Sequence, residues 1–364
     1  MKREYEGTEV QLKKETKDTV IFVVGNPRSG TTMMGRILGK NDVVYTVRRE
    51  SHFFENLYAP EDRNRKLSGS EASDLAARLV CIENDGFFMQ GDPTRFEEKA
   101  RAIIQSVNGD ISHAGTIYDA FLRVTAKENG KAVPCDHTPG YVYYIPEVLS
   151  LFPTARIINM VRDPRDVLLS QKNRWKRRFL GEQGKPLRLT FRTWMNYHPV
   201  ATSILWRAAV RRAYANRNDA RVCSLRFEDV LTDPEKEVRK LCEFIDIPYD
   251  DKMLAVPMVG SSLIPDNTSR KGVDKTRASN WRGGGLNSAE IFINQTITAK
   301  YMRELGYKQV RVFPNPLALI YYLVTFPIKI SLTFLIHMNR IKNVREAVKR
   351  RLPFSGISHE ATSP

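Results

Sequence analysis

The amino-acid sequence predicts an α/β fold: a parallel sheet flanked by helices on both faces, followed by a C-terminal helical tail that is first apolar and then basic. Two observations lead there. Short runs of consecutive apolar and β-branched residues alternate with helix-length segments from Thr19 to about residue 250, the order that builds parallel sheets. The runs are unbroken by polar residues, which marks strands covered on both faces. A chain of 364 residues, 42% hydrophobic and 27% charged, is long enough to bury a full core, so general disorder is excluded.

Taken in order, Thr19 to Val24 (TVIFVV) reads as a buried strand ending on Gly25, and Thr31 to Lys40 as the helix after it. Val43 to Val47 is a second strand, followed by the polar RRESH. Helical patterns cover 70–84, 94–107 and 113–129, and a short strand, Ala132 to Cys135, leads into DHTPGY. Arg156 to Val161 is a further buried strand, with a helix expected over Asp163 to Arg178. A long helix over 199–217, a strand from Arg221 to Phe227 and a helix from Pro234 to Ile245 complete the alternation. Residues 260–287, rich in Gly, Ser, Asn and Arg, read as a long loop before a helix at 288–305. Ligands of such sheets gather at the carboxyl ends of the strands. That rule singles out GNPRSGTT, RRESH, DHTP and RDPRD.

The four cysteines, Cys81, Cys135, Cys223 and Cys242, form no CxxC pair, which speaks against a disulfide framework or a zinc site. With the charged start MKREYEGTEVQLKKETKD, they point to a reducing, cytoplasmic compartment and no cleaved signal peptide. The formal charge is +16, and nine basic residues against Glu346 alone lie between Lys308 and Phe354. A second basic cluster runs from Lys172 to Arg178. An anionic ligand for the body and an anionic surface for the tail follow. Nucleic acid is excluded as a partner, since no homeodomain, zinc-finger, KH or RRM signature is present and aromatics do not interleave with the basic residues.

The segment FVVGNPRSGTTMMGR has the shape of a phosphate loop entering a helix. Backbone amides of such a turn, with the positive end of the helix dipole, make an anion nest. Gly25 and Gly30 permit close approach, Asn26, Pro27 and Ser29 complete the turn, Thr31 and Thr32 offer hydroxyls, and Arg28 supplies charge. The Gly-Lys-Ser/Thr of nucleoside triphosphate loops is replaced by Gly30-Thr31-Thr32. A plain strand-to-helix turn capped by Ser29 or Thr31 is the bland alternative.

As a block, GNPRSGTT resembles the 5′-phosphosulfate loop of sulfotransferases that use 3′-phosphoadenosine 5′-phosphosulfate (PAPS), in the bacterial, Golgi glycan and tyrosylprotein branch. IINMVRDPRDVLLS is similar to that family's 3′-phosphate motif, and FPTARIINMVRDPRD, LRFEDVLTDPEKEVRKLCEFIDIP and MRELGY extend the likeness over about residues 19–307. The resemblance implies a P-loop NTPase-like sheet and PAPS as co-substrate, with no metal. It also implies that Arg28, Thr31 and Thr32 with the loop amides hold the 5′-phosphosulfate, and that Arg162 and Ser170 hold the 3′-phosphate. Arg165 and Asp166 take structural roles, and an ion pair of Arg162 with Asp163 or Asp166 is the bland alternative. Arg270, Lys271 and Gly272 fall, with Ser269, where the family closes over the 3′-phosphate, although a solvated basic loop reads equally well. Phe227 stands where relatives often place a nucleotide-contacting tyrosine, and lacks its hydroxyl.

Sulfuryl transfer to a hydroxyl needs in-line approach, a base and charge on the leaving oxygen. RRESHFFE is similar to a Glu-x-His-Phe-Phe segment of glycan sulfotransferases, which implies Glu50 as base and His52 as runner-up. Pairing of Glu50 with Arg48 or Arg49 is the alternative. Where many relatives have Lys-Thr-Pro, this chain has His137-Thr138-Pro139 after Asp136. His137 either assists the leaving group, with a pH dependence near neutrality, or is oriented by Asp136 as part of a helix cap.

Leu317 to His337 is a 21-residue apolar stretch, interrupted by Pro327 and Lys329 and followed by basic residues. A segment lying in the interface of an anionic membrane accounts for it better than a span, while a core helix or an oligomer interface remains open. The expected organisation is a charged tail at 1–18, a sulfotransferase domain at 19–307 and a membrane-associating tail at 308–364, at the inner face of the membrane. The expected function is transfer of the sulfuryl group of PAPS to a hydroxyl of a saccharide or saccharide-bearing lipid. The alternatives are a non-catalytic nucleotide-binding membrane adaptor and a degenerate P-loop kinase or NTPase.

Overall fold

The computed structural model describes residues 18–58, 65–89, 91–107, 109–184, 186–337 and 344–351. The charged start, the basic residues Arg340 and Lys342 and the last thirteen residues of the expected tail lie outside them. Five strands, β1 (Ile21–Gly25), β2 (Val44–Thr46), β3 (Val133–Asp136), β4 (Arg156–Val161) and β5 (Val222–Arg226), form one parallel sheet in the order β2-β3-β1-β4-β5. Thus β1 is central, and it alternates between two cores. Val20, Phe22 and Val24 enter one, with Ile157 and residues of α2 (Gly69–Asp85) and α4 (Ala114–Glu128); Ile21 and Val23 enter the other, with Met34, Ile37 and Leu38 of α1 (Thr31–Gly39). This two-sided burial is why the strand reads as an unbroken apolar run. The remaining helices of this half are α3 (Glu97–Gln105) and α5 (Ile145–Leu151).

The chain leaves β1 toward β2 on one side, whereas β3 and β4 feed strands on the other. The crevice outside the carboxyl ends of β1 and β4 is therefore the topological switch point, where ligands of such sheets bind. Gly25 ends β1 opposite Met160. Its φ is 148°, and a Cβ there would lie 2.4 Å from the Met160 carbonyl oxygen, so no side chain fits. Gly25→Ala is expected to cost about 2–4 kcal/mol, read as a lowered thermal midpoint.

The helix expected over 163–178 breaks. Asp163 caps it by accepting from Arg165 N–H, and Pro164 fills its first position, but α6 runs only over Pro164–Lys172. Asn173 bends back to donate to Leu169 O (3.0 Å), and the chain continues as a tight turn, Arg174–Lys176, and α7 (Arg177–Leu180). Three further helices were not expected: α5, α8 (Leu187–Met195) and α10 (Phe227–Thr232), the last shortening β5 by taking Phe227. Helices α9 (Pro199–Ala215), α11 (Pro234–Ile245) and α12 (Ser288–Glu304) match expectation. The presumed loop of 260–287 contains β7 (Asn267–Lys271), paired antiparallel with β6 (Pro257–Met258). Glu228 accepts from Asp163 N–H (2.9 Å) and Tyr307 O–H (2.8 Å), joining three segments that are distant in sequence.

The apolar stretch forms α13 (Pro316–His337), long and apolar enough to cross a membrane but lying along α8, α9 and α12 by one face. Lys329 donates to Tyr197 O (3.2 Å) and sits over the Trp194 ring, so its charge is spent on the domain. Helix α14 (Val344–Arg351) returns its end to the body, where Arg351 pairs with Glu55 at 3.0 Å.

Candidate active site

The loop after β1 turns on two left-handed residues, Arg28 (φ 77°) and Gly30 (φ 98°). Gly30 is the N-cap of α1, no side chain caps the helix and its first turn holds no acidic residue. The side-chain cap from Ser29 or Thr31 that the alternative reading required does not form. Ser29 Oγ is buried without a hydrogen-bond partner, Thr31 is buried and Thr32 exposed. Asn26 braces the turn by donating to Pro27 O and accepting, through its carbonyl, from Ser29 N–H. A Cβ on Gly30 would strike the Phe227 ring at 2.4 Å, so Phe227 packs directly on the loop.

Cations gather around this uncapped helix start. Arg28 Nε donates to Ser170 Oγ, and Nη2 to Gly260 O and Ser262 Oγ, each at 2.9 Å. Burial, and then the charges of Arg174, Arg162 and Arg177, push the Arg28 guanidinium down to about 9, against the opposing charge of Glu182. Arg162 stacks on Phe227 (4.5 Å) and donates to Arg28 O (3.3 Å) and Arg277 O (3.1 Å). Its Nε and the Nη2 of Arg277 are buried without hydrogen-bond partners among the described residues. The ion pair considered for Arg162 does not form. Asp163 is held by Arg165 (2.9 and 2.6 Å), and Asp166 accepts from Ser279 N–H (2.9 Å) and Trp281 N–H (3.0 Å). Arg165 and Asp166 thereby anchor the 275–284 segment rather than face the crevice. Asp266 grips Arg177 (2.8 and 2.7 Å) and accepts from Gly260 N–H (2.8 Å), which draws the 260–266 loop over Arg28.

On the other side of β1, the RRESH turn and the end of β3 are locked together. Glu83 accepts from Arg48 N–H at 3.0 Å, and Ser51 N–H donates to Thr138 Oγ1 at 2.9 Å. Ser51 Oγ bonds the hydroxyls of Tyr118 and Tyr141. Tyr118 also donates to Asp136 Oδ2 (2.8 Å), whose Oδ1 accepts from Thr138 N–H (2.7 Å). Glu50 pairs with His52 Nε2 (3.4 Å), not with Arg48 or Arg49, and Glu55 takes His52 Nδ1 (2.7 Å). Burial works against the charge on His52, yet the two carboxylates outweigh it and raise the imidazole to about 10. His52 is therefore an imidazolium at neutral pH, with no free nitrogen to take a proton. Burial likewise pushes Glu50 upward, but the hydrogen bond and charge of His52, with Arg174 after it, hold its carboxyl below the usual range. The Glu50 side chain stays 37% exposed. Burial lowers His137 despite Asp136 and Glu50, so it is neutral, and its Nδ1 is buried without a partner.

A family model, described as the sulfotransferase family, matches residues 20–251.

The chain belongs to the sulfotransferase family. An uncharacterised protein of Aquifex aeolicus is 22% identical over 267 residues, covering 72% of this chain and 30% of its own length. Protein-tyrosine sulfotransferase A of Caenorhabditis elegans is 21% identical over 308 residues, covering 81% of this chain and 69% of its own length. The chain thus spans less than a third of the first relative. Among solved structures, the sulfotransferase domain from the curacin biosynthetic pathway superposes with a TM-score of 0.46 at 20% identity, covering 80% of this chain and 99% of that one. Membership rests on the family match, and the parallel sheet on its own strand order.

In this chain, Arg28, Arg162, Ser170 and Phe227 meet in one crevice, and Arg174 acts electrostatically on both Glu50 and Arg28. Arg270 and Lys271 do not join them: their side chains are exposed on β7. Gly272 lines a small cavity with Arg36 and Arg277, and the 260–287 segment brings the Arg277 backbone carbonyl to Arg162, while the Arg277 guanidinium donates to Val259 O (3.3 Å) and lies 3.5 Å from Asp274. Sequence reasoning passed over Arg277, Arg36 and Arg174, because a basic residue in a basic loop carries no periodicity that tells its direction.

Proposed function

We propose that this sulfotransferase moves the sulfuryl group of PAPS to a hydroxyl acceptor by in-line transfer with Glu50 as base. The observation that carries the reading is the cationic crevice itself: an uncapped helix start beside buried, unpartnered Arg162 Nε and Arg277 Nη2. A buried donor without a partner is costly unless a ligand satisfies it, and a ligand with two separate anionic groups suits two such places. The residues fit PAPS, which supplies the sulfuryl group when bound. The α1 amides with Thr31, Thr32 and Ser29 Oγ would hold the 5′-phosphosulfate; Arg162, Ser170 and Arg277 would hold the 3′-phosphate. Arg28, fixed to Ser170, lies between the two.

Glu50 is anionic and accessible, so it accepts the acceptor's proton as the new S–O bond forms. Charge growing on the departing bridging oxygen meets Arg28 and the helix start, and neutral His137 can donate a hydrogen bond there. His52 and Glu55 are positioning residues. The sugar hydroxyl reading is supported by the Glu50-x-His52-Phe53-Phe54 segment and the apolar α13; the likeness to a tyrosylprotein sulfotransferase favours a second reading, a tyrosyl hydroxyl. For α13 we propose a place in the membrane interface rather than across it, because Lys329 is spent on the domain while the outward face is apolar.

Calorimetric titration with adenosine 3′,5′-bisphosphate (PAP) and with Mg·ATP is the test. Binding of PAP at least about tenfold tighter than Mg·ATP is expected; preference for Mg·ATP would overturn the reading in favour of an NTPase. Labelled transfer from PAPS into extracts, separated into lipid, glycan and protein fractions, then names the acceptor. PAP binding with no transfer would leave a non-catalytic adaptor.

A further inference from the structure

Helix α8 is amphipathic in the wrong sense for a helix of a water-facing surface. Leu187, Phe191 and Trp194 recur at i, i+4 and i+7, one face of a helix, and that face is turned outward: they are 69%, 57% and 48% exposed. Only Leu189 and Met195 are buried. Scattered exposed apolar residues need no account, but a contiguous stripe with basic residues beside it marks an interaction surface. Phe179, just before α8, is 63% exposed.

The charge around the stripe is of one sign. Between Gln171 and Met195 there are eight basic residues against Glu182 alone. Lys172 and Arg177 are occupied by Glu290 and Asp266, whereas Lys176, Arg178, Arg188 and Arg192 form no ion pair among the described residues. The stripe also meets α13. Trp194 pairs with Phe191 (6.0 Å between rings) and lies under Lys329 Nζ at 4.8 Å, and α13 carries Ile320, Leu323, Val324 and Ile328 outward.

We propose that α8 and α13 together form one face that seats the enzyme on an anionic lipid bilayer. Aromatic and aliphatic side chains enter the headgroup–acyl boundary, and the four unpaired cations meet lipid charge. The consequence concerns the acceptor. Helix α8 packs on the Arg174–Lys176 turn, whose Arg174 acts on both Glu50 and Arg28. Seating α8 therefore sets the crevice mouth at headgroup level, where the acceptor is the hydroxyl of a membrane-borne amphiphile. The inference extends the reading of α13 but stands on the α8 stripe by itself.

Co-sedimentation of the full chain with vesicles of phosphatidylcholine, alone or with about 30% phosphatidylglycerol, tests it. The full chain is compared with Leu187→Ser/Phe191→Ser and with Leu323→Ser/Val324→Ser, all checked for thermal midpoint, PAP affinity and mass by light scattering. Expected is binding to the anionic vesicles, weakened at least about tenfold by the α8 pair, with folding and PAP affinity kept, because these residues are exposed and outside the crevice. Loss through the α8 pair alone supports the α8 face and removes α13 from it. Loss through the α13 pair alone overturns the α8 face while sparing α13, and no binding by the full chain overturns both. A full-chain dimer that the α8 pair makes monomeric, with vesicle binding unchanged, assigns the stripe to a second copy and overturns the proposal.

Discussion

Glu50→Gln is expected to lower kcat by about 10²–10⁴ while leaving the affinity for PAP unchanged. The amide keeps the size and the contact with His52 but cannot accept the acceptor's proton. Measured as labelled transfer beside wild type, equal rates would remove Glu50 as base. The surroundings add a pH test. Glu50 and Glu55 lie below their ordinary range, so their stabilising charge is complete above the unfolded carboxylate value and is lost as pH falls through the folded one. His52 is raised to about 10, so its contribution is complete below its unfolded value and is lost as pH rises through about 10. Between these limits the three groups keep their charges, and the Glu50-dependent rate should be flat through neutrality. In His52→Gln the imidazolium is gone while burial remains, so the Glu50 carboxyl moves up. The acid limb of kcat/KM then shifts to higher pH, with a smaller loss of rate at its alkaline plateau than Glu50→Gln causes. A merely structural His52 would change the rate without moving that limb.

Arg162→Ala is expected to weaken PAP binding by about 100-fold, or about 2.7 kcal/mol, as removal of a buried charged donor does. Among the described residues, the guanidinium bonds only backbone carbonyls and leaves Nε unpartnered. It also lies close enough to help push Arg28 down, so the ligand-free protein holds like charges together. The variant should therefore keep or slightly raise the thermal midpoint of the ligand-free protein, while the rise in midpoint on adding PAP nearly vanishes. Arg162→Lys keeps charge without the planar fork stacked on Phe227, and should recover only part of the affinity. A loss of ligand-free stability with PAP affinity intact would instead make Arg162 a structural residue.

Much of the crevice was legible before folding was considered. Strands β1 and β4 read as unbroken apolar runs because both their faces are covered, and Asp163-Pro164 announced a helix start that the structure places there. Arg162 follows from position alone, at the end of a central strand. Other features left no such trace. The α8 stripe repeats like a core-facing helix, and only its exposure distinguishes it. The 260–287 segment looked structureless because Gly, Ser and Asn dominate it, yet Asp166 and Arg177, far away in sequence, hold it in shape.

The sequence by itself determined the parallel sheet, the phosphate-loop turn that Gly25 and Gly30 allow, and the residue types waiting at the strand ends. These are encoded locally, in periodicity, turn chemistry and caps. Only the tertiary structure decided which groups meet: that Arg28 reaches Ser170, 142 residues away, that the Arg277 carbonyl takes a bond from Arg162 while Arg270 stays exposed, and that His52 is clamped between Glu50 and Glu55. A side chain's partner depends on how distant elements pack, and its protonation on the balance between burial and every charge nearby. Neither quantity exists until the chain has folded.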